Sequence, residues 1–264
     1  NMMLFAFAFS QALEMQVLPK LSMDGIYWVF IACFLFTIPF INWIPKRAAN
    51  KASTLEIDSS ASSEAASDAE PAPVPAYLPW LCLTAIFITY INIGAYWTYI
   101  ELAALDGNAT PSWISQVLVW ASFCSIVGCL FATLLSDRFG LARPLLVTLV
   151  MMSIIVGMLA SGINDQKLLF SVFSFNLLWI FIDVYQMSTV ANIDHSGKFA
   201  ALMPGAQGLG QIVGPNLAAS LLGMNLGYSA VFIMCACAAM TAMLLYSGMY
   251  IKLRRTLPAL ADAT

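Results

Sequence analysis

The residues of this sequence able to do chemistry are few, and they recur at helical spacing. Asn176, Trp179, Asp183 and Gln186 follow one another at intervals of three, four and three inside an apolar run near 168–191. Such spacing puts all four on one face of a helix. Asp183 lies about 15 residues into that run, roughly 22 Å at 1.5 Å per residue, too deep for its carboxyl group to snorkel to water. A carboxyl group held among apolar neighbours is costly when ionised and can serve as a proton carrier or a substrate contact. Near 78–104 a second face carries Tyr90, Gly94, Trp97 and Glu101 at four, three and four, with Asn92, Tyr96 and Tyr99 beside it. Aromatic rings interleaved with amides suit an organic molecule held by stacking and hydrogen bonds. Glu101 stands near the end of its run, where a gate suits it as well as substrate contact does. Gln207 and Gln211 are one turn apart; they can line the same cavity or join helices by hydrogen bonds.

Other chemistry is missing. His195 is the single histidine, and the six cysteines all fall in apolar runs without a Cys-x-x-Cys pair, so no metal, haem or iron–sulfur pattern is recognisable. Those thiols read as small packing residues. No G-x-x-x-x-G-K-[ST] loop occurs, which argues against pumping driven by nucleotide hydrolysis. Neither paired aspartates nor a Ser/His pair supports an enzyme. No cofactor is expected, and a formal charge of -3 excludes the basic excess of a nucleic-acid binder.

The elements that must position these residues follow from composition. Of the 264 residues 61% are hydrophobic and 9% charged, against roughly 25% charged in an ordinary soluble domain. A helix needs about 20 apolar residues to cross the hydrocarbon core, so the lipid bilayer is the expected solvent. Spans are predicted at 26–44 and near 78–104, 112–135, 145–162, 168–191, 199–223 and 227–250. Residues 1–18 read as the last part of a further helix, without the basic start or small-residue cleavage site of a secretory signal. Residues 46–76 carry eight charged residues and are rich in Ala, Ser, Glu and Pro; this composition predicts a disordered linker. Alternating the spans puts Lys46, Arg47, Lys51, Arg138, Arg143, Lys198, Lys252, Arg254 and Arg255 on one side, and only Lys20 and Lys167 on the other. By the positive-inside rule the linker 46–76 and the tail 252–264 face the cytoplasm.

Two motifs connect these spans to a known family. The loop after 112–135 reads Leu135-Ser136-Asp137-Arg138-Phe139-Gly140-Leu141-Ala142-Arg143. It resembles the cytoplasmic signature of the major facilitator superfamily, roughly G-x-L-x-D-R-x-G-R-R. Asp137, Arg138, Gly140 and Arg143 match; Thr133 replaces the leading glycine and Leu141 the first arginine of the pair. Span 199–223 carries Gly210-x-x-x-Gly214-Pro215, similar to a Gly-x-x-x-Gly-Pro stretch of the superfamily's exporters. Small residues let helices approach closely, and proline frees a carbonyl and bends its helix.

The resemblance implies an all-α integral membrane bundle. Residues 77–251 are similar to the superfamily's C-terminal six-helix half, and 1–45 to about one and a half helices of the other half. The rest of that other half would be the chain's partner, and Asn1 is expected to fall partway through a longer gene product. Asp137, Arg138, Gly140 and Arg143 would form a conformational latch, and Gly210, Gly214 and Pro215 a packing and bending point. The implied function is secondary transport of a small organic solute by alternating access, coupled to protons, in the plasma (bacterial inner) membrane. The candidate substrate and proton residues are Asp183, Asn176, Trp179, Gln186, Glu101, Trp97, Tyr90, Gln207 and Gln211. They include carboxylates but no Arg or Lys, so neutral or cationic solutes suit them better than anions. The alternative is a seven-helix receptor that binds without translocating. A retinal version is excluded, because every lysine lies in a loop or at a helix end. A six-helix half that dimerises is the other architecture compatible with the sequence.

Overall fold

The computed structural model describes residue 75, residues 77–194 and 197–256, and isolated positions 25, 27–29, 31, 32, 35 and 36; for 126, 133–139, 255 and 256 it describes the backbone alone. The expected partial helix 1–18, nearly all of the linker 46–76 and the tail beyond 256 lie outside the described residues, as does His195. The chain divides into two compact units, Asn1–Ala72 and Pro73–Thr264. In the first, the described positions between 25 and 36 are helical, and Tyr27, Trp28, Leu35 and Phe36 are exposed.

The second unit is a bundle of helices α1 (Tyr77–Asp106), α2 (Pro111–Phe139), α3 (Ala142–Met158, extended by a 3-10 turn Leu159–Ser161), α4 (Asp165–Ile193), α5 (Lys198–Gly223) and α6 (Gly227–Thr256). Local chemistry sets the breaks. Pro111 opens α2, where its missing N–H costs nothing. The Asn164 side chain caps α4 by accepting from the Lys167 N–H at 2.8 Å. Asp194 reaches across the next turn to accept from the Ala200 N–H at 2.8 Å, in the first turn of α5.

Five of the helices, α1, α2, α3, α4 and α6, are long and apolar enough to cross a membrane. Helix α5 has the length but is not among them: its glycines, prolines, Gln207, Gln211 and Asn216 dilute its apolar character. The sequence predicts a span there on the same footing as the others. The Lys252 ammonium stands 5.0 Å from the centre of the Tyr77 ring, so the start of α1 and the end of α6 meet at one end of the bundle. An even number of traverses, α5 included, brings them there.

Helix α1 packs against α5 and α6, α4 packs against α2 and α3, and α3 meets α6. Exchanging α1–α3 with α4–α6 leaves this set of neighbours unchanged. Helices joined in series by short loops alternate in direction, so α1 and α4 run oppositely. The bundle is therefore two three-helix units of inverted sense.

The α1–α5 crossing is made by glycine. A Cβ on Gly94 would stand 2.8 Å from Gln211 Cα, and one on Gly210 would stand 2.7 Å from Tyr90 Cβ. One on Gly214 would run into the Ile91 carbonyl oxygen, and on the α2–α4 side one on Gly128 would run into that of Leu177. Without side chains at these points the backbones approach closely, and close packing of this kind is what holds helices together in lipid. Pro215 removes the N–H that would bond the Gln211 carbonyl, and that carbonyl lies against Gly94.

Candidate functional site

Helices α1, α4 and α5 meet at one carboxyl group. Asp183 lies eighteen positions into α4 from Asp165, roughly 27 Å along the axis. Its Oδ1 accepts two hydrogen bonds: from the Tyr90 hydroxyl of α1 at 2.8 Å, and from Gln207 Nε2 of α5 at 2.8 Å. Tyr90 is buried at 4% exposure, whereas Asp183 and Gln207 are half-buried. The glycine crossing explains the reach. With Gly210 and Gly214 against α1, α5 comes close enough for the short Gln207 side chain to touch α4.

An aromatic wall stands one turn away. Trp97 and Trp179 have ring centres 6.0 Å apart, tilted at 60°, and Phe175 lies 6.0 Å from Trp97, nearly perpendicular to it. Behind them Tyr96 stacks on Phe175 at 3.8 Å, and its hydroxyl shares a 2.9 Å hydrogen bond with Ser171. The indole N–H groups of Trp97 and Trp179 are enclosed without a hydrogen-bond partner. That of Trp179 adjoins the Tyr90 hydroxyl but does not meet hydrogen-bond geometry with it.

The four residues of the α4 face separate by role. Trp179 and Asp183 look toward α1 and α5. Gln186 is fully buried and donates to Thr89 Oγ1 at 3.0 Å, its own Oε1 left unpartnered. Asn176 turns to α2, where Ser125 donates to its Oδ1 at 3.3 Å; its Nδ2 bonds the Val172 carbonyl one turn back. Asn176 and Gln186 thus act as buried pins between helices.

On the α1 face, Tyr90, Gly94 and Trp97 all meet α4 or α5, while Glu101 is exposed near the end of α1. Gln211 is exposed too and touches α1 through its backbone. Sequence reading missed Thr89 and Ser171. Thr89 falls seven positions before Tyr96 on one stripe of α1, a signal that could have found it. Asn92, at 0% exposure, leaves both amide atoms unpartnered.

In the loop signature, α2 runs through Phe139 and stops at Gly140, whose φ of 67° and ψ of −173° belong to a region that glycine alone enters freely. Arg143 is exposed on the first turn of α3. The side chains of Asp137 and Arg138 lie outside the description. Pro215 is half-buried, and its carbonyl accepts from the Tyr99 hydroxyl at 3.4 Å.

Among the described residues no three His, Cys, Asp or Glu side chains come together as a metal site would need. Two depressions, of about 430 and 270 Å³, lie at the end of the bundle formed by Gly107, Ile163 and, in the smaller one, Tyr228. Neither includes Asp183. Comparison with family models, with characterised proteins and with solved structures finds no match for this chain.

Proposed function

We propose a secondary transporter of the major facilitator kind, moving a small organic solute by alternating access with Asp183 as the proton-coupling group. The observation that carries this reading is the junction itself: one carboxyl group at membrane depth holds α1 and α5 to α4 through Tyr90 and Gln207. Hydrogen bonds to a carboxylate are roughly twice as strong as those between neutral groups. Taking up a proton therefore weakens both links together. The glycine crossing then lets α5 shift along α1, and Pro215 lets it bend.

Three further features support the reading. The two three-helix units are of inverted sense, as in many secondary transporters. Gly140 ends α2 at the loop that resembles the superfamily signature. Among the described residues no Lys or Arg stands inside a helix away from its ends. In this reading the protein sits in the plasma (bacterial inner) membrane with the 140 loop and the C-terminus in the cytoplasm. A second six-helix half would be the partner that closes the pathway.

The test uses the full-length protein in liposomes, with a panel of small organic amines and neutral solutes and an imposed pH gradient. Gradient-driven uptake is expected for at least one solute, and Asp183→Asn should abolish the dependence on the gradient, so that whatever flux remains is the same with and without it. Flux that ignores the gradient in the parent protein removes proton coupling. No flux of any solute removes the transporter.

A further inference from the structure

Hydrogen-bond direction at Asp183 narrows the class of solute. Oδ1 takes both donors that reach the carboxyl group, the Tyr90 hydroxyl and Gln207 Nε2. Sharing one acceptor fixes the Gln207 amide, since turning it would set its carbonyl oxygen against the carboxylate. Two acceptor atoms are left over. Asp183 Oδ2 and Gln207 Oε1 take no partner among the described residues, on side chains that are both half-buried rather than sealed. The nearby donors are not on offer: the Trp97 and Trp179 indole N–H groups are enclosed, and the Tyr90 hydroxyl is spent. Gln211 is exposed one turn along α5, but an amide serves as donor or acceptor and sets no polarity.

We infer that the site selects a protonated amine, a small organic ammonium ion that bears at least one N–H, with an apolar or aromatic body. Its N–H donates to Asp183 Oδ2 and Gln207 Oε1, and its body lies against Trp97 and Trp179, whose ring faces attract cations. A carboxylate solute would bring acceptors to acceptors. A quaternary ammonium keeps the charge and the ring contact but has no N–H to give. The same carboxyl group takes the proton in the transport reading, so amine and proton exclude each other at Asp183. This inference rests on that reading for its role in a cycle, but the ligand preference stands or falls by binding alone.

The experiment is an equilibrium titration of the full-length protein in detergent, followed by calorimetry, with three probes on one frame: phenethylamine, its N,N,N-trimethyl analogue and 3-phenylpropionate. The amine should bind about tenfold more tightly than the trimethyl ion, because a charge-assisted hydrogen bond is lost, and the propionate should not bind. Asp183→Asn should remove the preference for the amine, and Asp183→Glu should keep it. The ranking is read on the parent protein, so it needs no variant to fold. Propionate binding as tightly as the amine, a trimethyl ion equal to the amine, or no amine binding at millimolar concentration overturns the inference. Amine binding without flux in liposomes would uphold it and overturn the transporter.

Discussion

At the scale of the residue, Asp183 is where spacing and geometry meet. A carboxyl group in an apolar run was legible at once, and so was the face of α1 carrying Tyr90 and Trp97. Their pairing was not, because spacing fixes a face and says nothing about the height at which two helices meet. Asn176 shows the same limit: it shares its stripe with Asp183 yet turns to Ser125 on α2. If the Tyr90 hydroxyl bonds an ionised carboxyl group, Tyr90→Phe should cost about 1.5–3 kcal/mol of stability in detergent. In an Asp183→Asn background the same change should cost about half as much, since the acceptor is then neutral. A thermal-unfolding double-mutant cycle measures the difference, and equal costs in both backgrounds would leave the charge without a part in the link. The glutamines give a second contrast. Gln207→Ala removes a link between helices, whereas Gln211→Ala alters an exposed side chain and should stay within about 0.5 kcal/mol.

At the scale of the element, α5 keeps the bounds its sequence suggests to within a residue but is less apolar than the other five helices. Its stretch read as one more span, yet it is the helix least able to dissolve in lipid on its own. Its place comes from a stripe, with Met203, Gly210, Gly214 and Ala218 its buried residues. Gly-x-x-x-Gly was readable as a packing face; that the partner is α1, with Gly94 opposite, was not, since a small-residue stripe names no partner. The glycines of α5 should accordingly split into two classes. Gly214→Ala drives a methyl group into the Ile91 carbonyl, which backbone cannot yield, and should cost at least about 1–3 kcal/mol by forcing the helices apart. Gly205 and Gly208 have open space where a Cβ would go. Alanine at either should leave the fold intact or stabilise it by up to about 1 kcal/mol through helix propensity. Midpoints of thermal unfolding for the three variants decide it, and a uniform response would mean that the crossing is not set by these contacts.

At the scale of the whole molecule, the question that α5 raises becomes one of sidedness. Were α5 to lie in the interface rather than cross, α6 would run the other way, and Lys252, Arg254 and Arg255 would change sides. The basic residues would then divide six against five in place of nine against two, erasing the asymmetry that orients the chain. The packing of Lys252 on Tyr77 also places the start of α1 and the end of α6 together, as six traverses require. Gln166, on the first turn of α4, and Arg254, near the end of α6, are both exposed. Three helices, α4, α5 and α6, lie between them. In a background cleared of native cysteines, Gln166→Cys should react with a membrane-impermeant maleimide from outside intact cells. Arg254→Cys should react only after permeabilisation. Labelling of both from one side would mean two crossings instead of three, with α5 the helix that fails to cross. Labelling of each from the side opposite to that expected would keep the six traverses and invert the molecule.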